Sequence, residues 1–165
     1  MTPEPIVVQV KPISAEAFAP YGDLLETPTS GTRQDFAAVV ENRRSSARVN
    51  LALVRCQPFA AGTLIGTLER HAFSTQFFAP LDVDAYLVVV AKDTDRDQPN
   101  LTTISAFHVG AHQAISYHAG TWHAGMATLG RAGTFAMMIH EDGSGADCEF
   151  IELSQKLLVS WPDPA

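Results

Sequence analysis

An all-β fold, an antiparallel barrel or sandwich with very little helix, is what this sequence predicts, and three observations predict it. Short alternating or apolar runs recur at close spacing from Ile6 to Leu153. Turn-forming segments rich in Gly, Pro, Asn and Asp separate them. Only the stretch after Ser14 carries a helix-start signal, and Pro20 limits its length.

Taken in order, Pro5 to Lys11 alternates and is β-branched, so it reads as a strand. Ser14 caps a short helical turn over Glu16 to Phe18, and Tyr21-Gly22-Asp23 turns the chain into a strand at Leu24 to Glu26. Residues 28–34 are loop. Phe36 to Val40 is apolar, and Glu41 to Arg48 is polar. Strands follow at Val49 to Cys56, at Gly62 to Leu68 running on through Glu69-Arg70-His71, and at Gln76 to Ala79, ended by Pro80. Ala85 to Ala91 is apolar at every position and therefore predicts a central strand buried on both faces. After a polar turn at Lys92 to Asn100, strands are expected at Leu101 to His108, Gln113 to His118, Trp122 to Thr128, Thr134 to Glu141 and Glu149 to Leu153. The tail from Leu157 to Ala165 reads as irregular. About ten short strands with no internal repeat and no linker describe one domain, 1–165.

The composition narrows the function classes. A chain of 165 residues, 46% hydrophobic and 18% charged, is long enough to bury a sizeable core. A formal net charge of -7 with no basic stripe argues against nucleic-acid binding, though a local pocket can still take a small anion. No apolar run reaches the roughly 20 residues of a membrane helix. The start lacks the basic and apolar regions of a signal peptide, so a cytoplasmic protein with reduced Cys56 and Cys148 is the expectation. Gly-rich phosphate loops, a nucleophile elbow and zinc-type cysteine spacing are all missing from the sequence.

Histidines and carboxylates remain. In an extended segment Glu69 and His71 stand two apart and share a face, while Arg70 points the other way as a structural or interface residue. Gln76 follows within the same stretch. A second cluster, Tyr117-His118-Ala119-Gly120-Thr121-Trp122-His123, places a turn-forming Gly between two histidines and would bring both to one barrel mouth. Taken singly, these residues have structural readings: a mutually satisfied Glu69–His71 pair, turn histidines, a core Trp122. Together they are more polar groups than a core needs, because burying a polar group is costly unless it is paired. His108, His112 and His140 fall at strand ends or turns and read as surface or hydrogen-bonded histidines. Arg43, Arg44 and Arg48 read as a solvated loop or dimer-edge charges ahead of a carboxylate clamp.

The spacing resembles that of cupin barrels. Glu69-x-His71-x4-Gln76 follows the first cupin motif, His-x-His-x(3 or 4)-Glu, with two substitutions. His118-x-Gly120-x-x-His123 keeps the Gly and final His of the second. The resemblance implies a cupin-like antiparallel barrel or jelly roll, with Glu69, His71, Gln76 and His123 converging on a possible metal. The runs 68–80, 86–91 and 117–123, with Phe18-Ala-Pro-Tyr-Gly-Asp23, more specifically resemble the ureidoglycolate lyases of allantoin catabolism, over most of Ile6 to Ile151. The pattern departs at 29–50, where Asn50 replaces an acidic residue, and at Ala124, where a relative can carry a second His.

That resemblance implies elimination of urea from (S)-ureidoglycolate to give glyoxylate, in a homodimer. The cofactor is left open between a divalent metal, such as nickel, and none. The reaction needs a base, an acid for the leaving nitrogen and a holder for the carboxylate. His118 or His123 is the expected base, Glu69 orients His71, and Gln76 binds the ureido group with Tyr117 and Trp122 as further substrate contacts. The alternatives are another small-molecule cupin enzyme, an epimerase or dioxygenase, and a non-catalytic cupin that binds a small acid.

Overall fold

The computed structural model describes residues 3–161. Twelve strands form two sheets among the described residues. In chain order they are β1 (Ile6–Pro12), β2 (Gly22–Glu26), β3 (Arg48–Cys56), β4 (Leu64–Arg70), β5 (Gln76–Pro80), β6 (Ala85–Ala91), β7 (Ser105–Gly110), β8 (Gln113–Tyr117), β9 (Trp122–His123), β10 (Ala127–Thr128), β11 (Gly133–Glu141) and β12 (Glu149–Ser160). One helical turn, α1 (Ala15–Phe18), follows β1, and the Ser14 hydroxyl accepts from the Ala17 amide at 3.2 Å as a capping residue should.

The larger sheet runs β10-β6-β7-β1-β12-β4-β9, and β9 pairs back onto β6. Strands β6, β7, β1, β12, β4 and β9 therefore close into a six-stranded ring, an all-β cupin-like barrel. Closure runs through the two residues of β9: His123 lies opposite Glu69 on one side and Val90 on the other, and Trp122 lies opposite Ala91. The smaller sheet, β2-β8-β5-β11-β3, packs against the ring.

Three expectations need correction. The barrel is not wholly antiparallel, because β1 runs parallel to both β7 and β12. The tail expected to be irregular from Leu157 is strand as far as Ser160: β12 runs on past a register shift between Glu152 and Leu157, since Leu157 and Val159 alternate inward beside Val8 and Val10. The extreme tail, 162–165, lies outside the described residues. The expected strand at Trp122 to Thr128 is two short pieces, β9 and β10.

β6 organises the core. Its period-2 alternation sends Tyr86, Val88 and Val90 between the two sheets, against Phe78, Phe107, Ile115, Tyr117 and Phe135. It sends Leu87 and Val89 to the other face, against Val8, Val10, Ala106, Leu157 and Val159. Each of these side chains contributes roughly 1.5–3 kcal/mol by leaving water. Gly22 is required where β2 meets β8: a Cβ there would stand 2.3 Å from the Ser116 carbonyl oxygen.

Candidate active site

Alternation along two short strands builds the site. On β4, Leu68 and Arg70 point to one side and Glu69 to the other, with His71 following directly on. On β9, Trp122 and His123 diverge in the same way. Leu68, Ala91 and Trp122 form an apolar cluster, and the Arg70 guanidinium lies over the Trp122 ring. Arg70 also pairs with Asp93, Asp97 and Glu149, and the Trp122 indole donates to Asp93 at 2.9 Å. Arg70 is thus structural, as its alternation predicts. Trp122 belongs to this cluster and does not line the cleft described below.

On the opposite side Glu69, His71 and His123 converge. One ligand-capable atom from each lies within 4.8 Å of the others. Glu69 Oε1 is 3.3 Å from His123 Nε2, and the Cys148 thiol donates to Glu69 Oε2 at 3.7 Å. Both imidazoles are tethered from behind. His71 Nδ1 is 2.8 Å from the Asp147 carbonyl, and His123 Nδ1 is 3.0 Å from the Thr121 carbonyl. A carbonyl only accepts, so each Nδ1 carries the proton and each Nε2 presents a lone pair to the centre. The Tyr117 ring stacks on His123 at 4.2 Å. Gln76 pairs with Tyr117 across β5–β8 and is buried, and its Oε1 has no hydrogen-bond partner.

The charges follow from these contacts. Burial pulls the Glu69 carboxyl upward, but the His123 imidazole beside it, then His71 and the Cys148 thiol, leave it below its ordinary value. Burial, then the neighbouring His123, holds His71 below the usual histidine value, so it stays neutral. Burial and the Glu69 charge push the Cys148 thiol up to about 12 and keep it a donor. Burial likewise drives Tyr117 well above the usual phenol value.

The site residues fit a divalent metal. Two buried imidazole nitrogens without partners, one carboxylate and an unsatisfied amide oxygen on Gln76 form a donor set suited to first-row ions. Both imidazoles also carry the backbone support on the opposite nitrogen that metal-binding histidines use.

His118 does not join this group. Tyr117 faces in, so alternation on β8 turns His118 out, and the turn at Gly120, with φ 89°, does not reverse that. Its Nε2 sits 3.1 Å from Asp23, its side chain is 44% exposed, and it lines a separate polar cleft with Arg43, Arg70, Lys92 and Asp93. The expectation that His118 and His123 share one mouth is therefore corrected. Of the arginines, Arg43 pairs with Glu41 on the surface as expected, but Arg44 is mostly buried against Asp142 and Asp147.

Several residues of the site escaped the sequence reading. Cys148 touches Glu69, and Asp147 holds His71 through its carbonyl. Asp147 is itself fixed: its carboxylate accepts from the Asp142 and Gly143 amides at 2.9 and 3.2 Å and meets Arg44. One signal was available, the opposite charges of Arg70 and Glu149, which pair in register and align the preceding residues 147–148 with His71.

A cleft of about 650 Å³ opens from Glu69 and Gln76 and is walled by Val54, Cys56, Phe78, Met126 and Met137. A barrel that gathers two imidazoles around a carboxylate, with that carboxylate lining such a cleft, has the form of a small-molecule enzyme. The chain belongs to the ureidoglycolate lyase family, whose model matches residues 5–160. It is 32% identical over 165 residues to the ureidoglycolate lyase of Pseudomonas savastanoi pv. phaseolicola (strain 1448A / Race 6), covering 94% of this chain and 95% of that one. It is 31% identical over 163 residues to that of Pseudomonas aeruginosa (strain UCBPP-PA14), covering 92% and 95%. Among solved structures, a dTDP sugar isomerase from Desulfovibrio desulfuricans G20 aligns at a TM-score of 0.49 and 15% identity over 78% of this chain and 80% of that one.

Proposed function

We propose that this enzyme eliminates urea from (S)-ureidoglycolate to give glyoxylate, with Glu69, His71, Gln76 and His123 as its working groups. The carrying observation is the convergence of Glu69, His71 and His123 with both Nδ1 atoms tied to carbonyls. The substrate carbon bears a hydroxyl, a carboxylate and a ureido nitrogen. Elimination moves the hydroxyl proton to that nitrogen, breaks the carbon–nitrogen bond and leaves an aldehyde. His123 Nε2 accepts the hydroxyl proton and returns it to the departing nitrogen, acting as base and then acid. Glu69, 3.3 Å away, stabilises the imidazolium between those steps. His71 stays neutral beside it. The free Oε1 of Gln76 accepts from a ureido N–H. A divalent ion held by Glu69, His71 and His123 through these same atoms, with Gln76 as a fourth donor, would take the place of that proton relay and supply Lewis-acid polarisation of the substrate oxygens.

Finer parts of the reading rest on separate observations. A homodimer is supported by the outer face of the smaller sheet, where Val49, Leu51 and Leu53 are exposed. A single domain working in the cytoplasm is supported by two unpaired cysteines, Cys56 and Cys148. No helix among the described residues is long and apolar enough to cross a membrane.

The deciding experiment is incubation with racemic ureidoglycolate and measurement of urea, glyoxylate and ammonia. Equal yields of urea and glyoxylate without ammonia are expected, with half of the racemate consumed. Ammonia release would identify a hydrolase, and binding without turnover would identify the small-acid-binding alternative.

A further inference from the structure

The cleft is a poor match for urea alone, and the mismatch lies on the leaving-group side. Its least exposed polar lining groups are Glu69 and Gln76. Beyond them the walls are Val54, Cys56, Phe78, Met126 and Met137, none of which offers a strong hydrogen-bond partner. Arg55, Gln57 and Thr63 are polar residues of the lining at exposed positions, and alternation on β3 turns the Arg55 side chain away from the face that Val54 and Cys56 share. Ureidoglycolate is small and ends in an NH2 group. An NH2 laid against the Val54, Phe78, Met126 and Met137 walls meets no strong hydrogen-bond partner on them.

From this we propose that the cleft accepts apolar N-acyl groups, so that the enzyme also cleaves N-acyl-α-hydroxyglycines to glyoxylate and the matching primary amide. The proposal rests on the elimination reading above and extends its substrate class. The reacting atoms are the same in both substrates. The hydroxyl proton leaves oxygen, the carbon–oxygen double bond forms, and the carbon–nitrogen bond breaks with its electron pair going to nitrogen. That nitrogen takes the proton, and no water, oxidant or reductant is consumed. Only the group beyond the carbonyl differs: NH2 in one case, an alkyl or aryl chain in the other. A volume of about 650 Å³ is ample for such a chain. Met126 and Met137, unbranched and polarizable, can repack around chains of different length.

The test uses the full chain with ureidoglycolate and with N-acetyl-, N-butanoyl- and N-hexanoyl-α-hydroxyglycine, with and without added Ni²⁺ or Mn²⁺. Glyoxylate and amide are measured against enzyme-free controls. Expected are equimolar glyoxylate and amide, and a KM that falls roughly two- to fourfold per added methylene, as burial of apolar surface requires. Met137→Gln should flatten that dependence. Turnover of ureidoglycolate with no acyl substrate cleaved, or with a KM indifferent to chain length, would overturn the proposal. Turnover of neither class would overturn the elimination reading itself, and the extension with it.

Discussion

Tyr117 and His123 lie ring on ring, with centroids 4.2 Å apart and planes within 15° of parallel. The stack fixes the tilt of the imidazole, and the Thr121 carbonyl fixes its tautomer. Only Nε2 then remains to meet Glu69.

His123 and His118 should consequently behave differently. His123→Ala removes the proton acceptor and should lower kcat/KM by about 10²–10⁴-fold. His118→Ala removes a half-exposed side chain paired only with Asp23, and should change the rate by no more than about threefold. Steady-state kinetics of the two variants decides the matter. Full activity in His123→Ala would rule out this location for the chemistry.

The donor set leads to an ion-binding expectation. Calorimetric titration of the metal-stripped protein with Ni²⁺ or Mn²⁺ should show one saturable site per chain. Glu69→Gln keeps the shape of the side chain while removing its charge, and should weaken binding by about tenfold or more. His71→Ala should do the same. The absence of saturable binding to the wild-type chain would rule out an ion held by Glu69, His71 and His123.

The share of this site legible in advance follows from period-2 alternation. That rule puts Glu69 and His71 on one face and Arg70 on the other, and the lack of polar alternation marks β6 as buried on both sides. Applied to β8, it would also have turned His118 outward once Tyr117 was taken as inward. The Gly120 turn does not bring His118 back to the inner face. Strand direction is not written in alternation, so the parallel pairing of β1 had no local signal. Nor can sequence point to the carbonyls of Asp147 and Thr121, because every residue supplies one. Arg44 looked like its exposed neighbour Arg43, and only the fold distinguishes the two.

Arg44 holds Asp147, and Asp147 holds His71. Their side chains are 13% and 9% exposed, so the pair is largely shielded from water. Removing one partner of a fully buried pair costs about 3–5 kcal/mol. Here the Asp142 and Gly143 amides still satisfy the carboxylate, so Arg44→Met should cost about 2–3 kcal/mol. The melting temperature should then fall by roughly 5–10 °C. Activity should drop further than stability explains, because His71 loses its anchor. Calorimetry and kinetics at a temperature where the variant is folded will separate the two effects.

Acid stability should depend on Asp142. Hydrogen bonds from Ser144, side chain then backbone, lower its carboxyl to about 2, and Asp147 and Arg44 add to the effect against a small opposing burial. An unfolded Asp titrates near about 3.9. The stabilisation is therefore complete above that value and disappears as pH falls through about 2. Asp142→Asn should remove this component, so that the stability difference between wild type and variant is constant above pH ~4 and shrinks toward pH ~2. Chemical denaturation across that range measures it. A difference that stays constant down to pH ~2 would show that Asp142 does not titrate with folding.

The outer face of the smaller sheet carries the last expectation. On β3, Leu51 and Leu53 are each 72% exposed and Val49 57%. Register sets Leu51 beside Met138 and Leu53 beside Ala136 on β11, with Phe77 and Ala79 of β5 next in line. These side chains make a contiguous apolar patch on a sheet whose last strand, β3, has no further strand partner among the described residues. Such a surface is an aggregation hazard in a monomer and suits a self-complementary contact between two copies. Light scattering should give twice the chain mass for the wild type and a monomer for Leu51→Glu with Leu53→Glu, since a two-fold contact brings each added charge in twice. The substituted residues point away from the cleft, which Val54 and Cys56 face from the same strand. The monomer should therefore remain folded by circular dichroism. A wild-type chain that is monomeric at all concentrations would leave the patch without this occupant and remove the dimer from the functional reading.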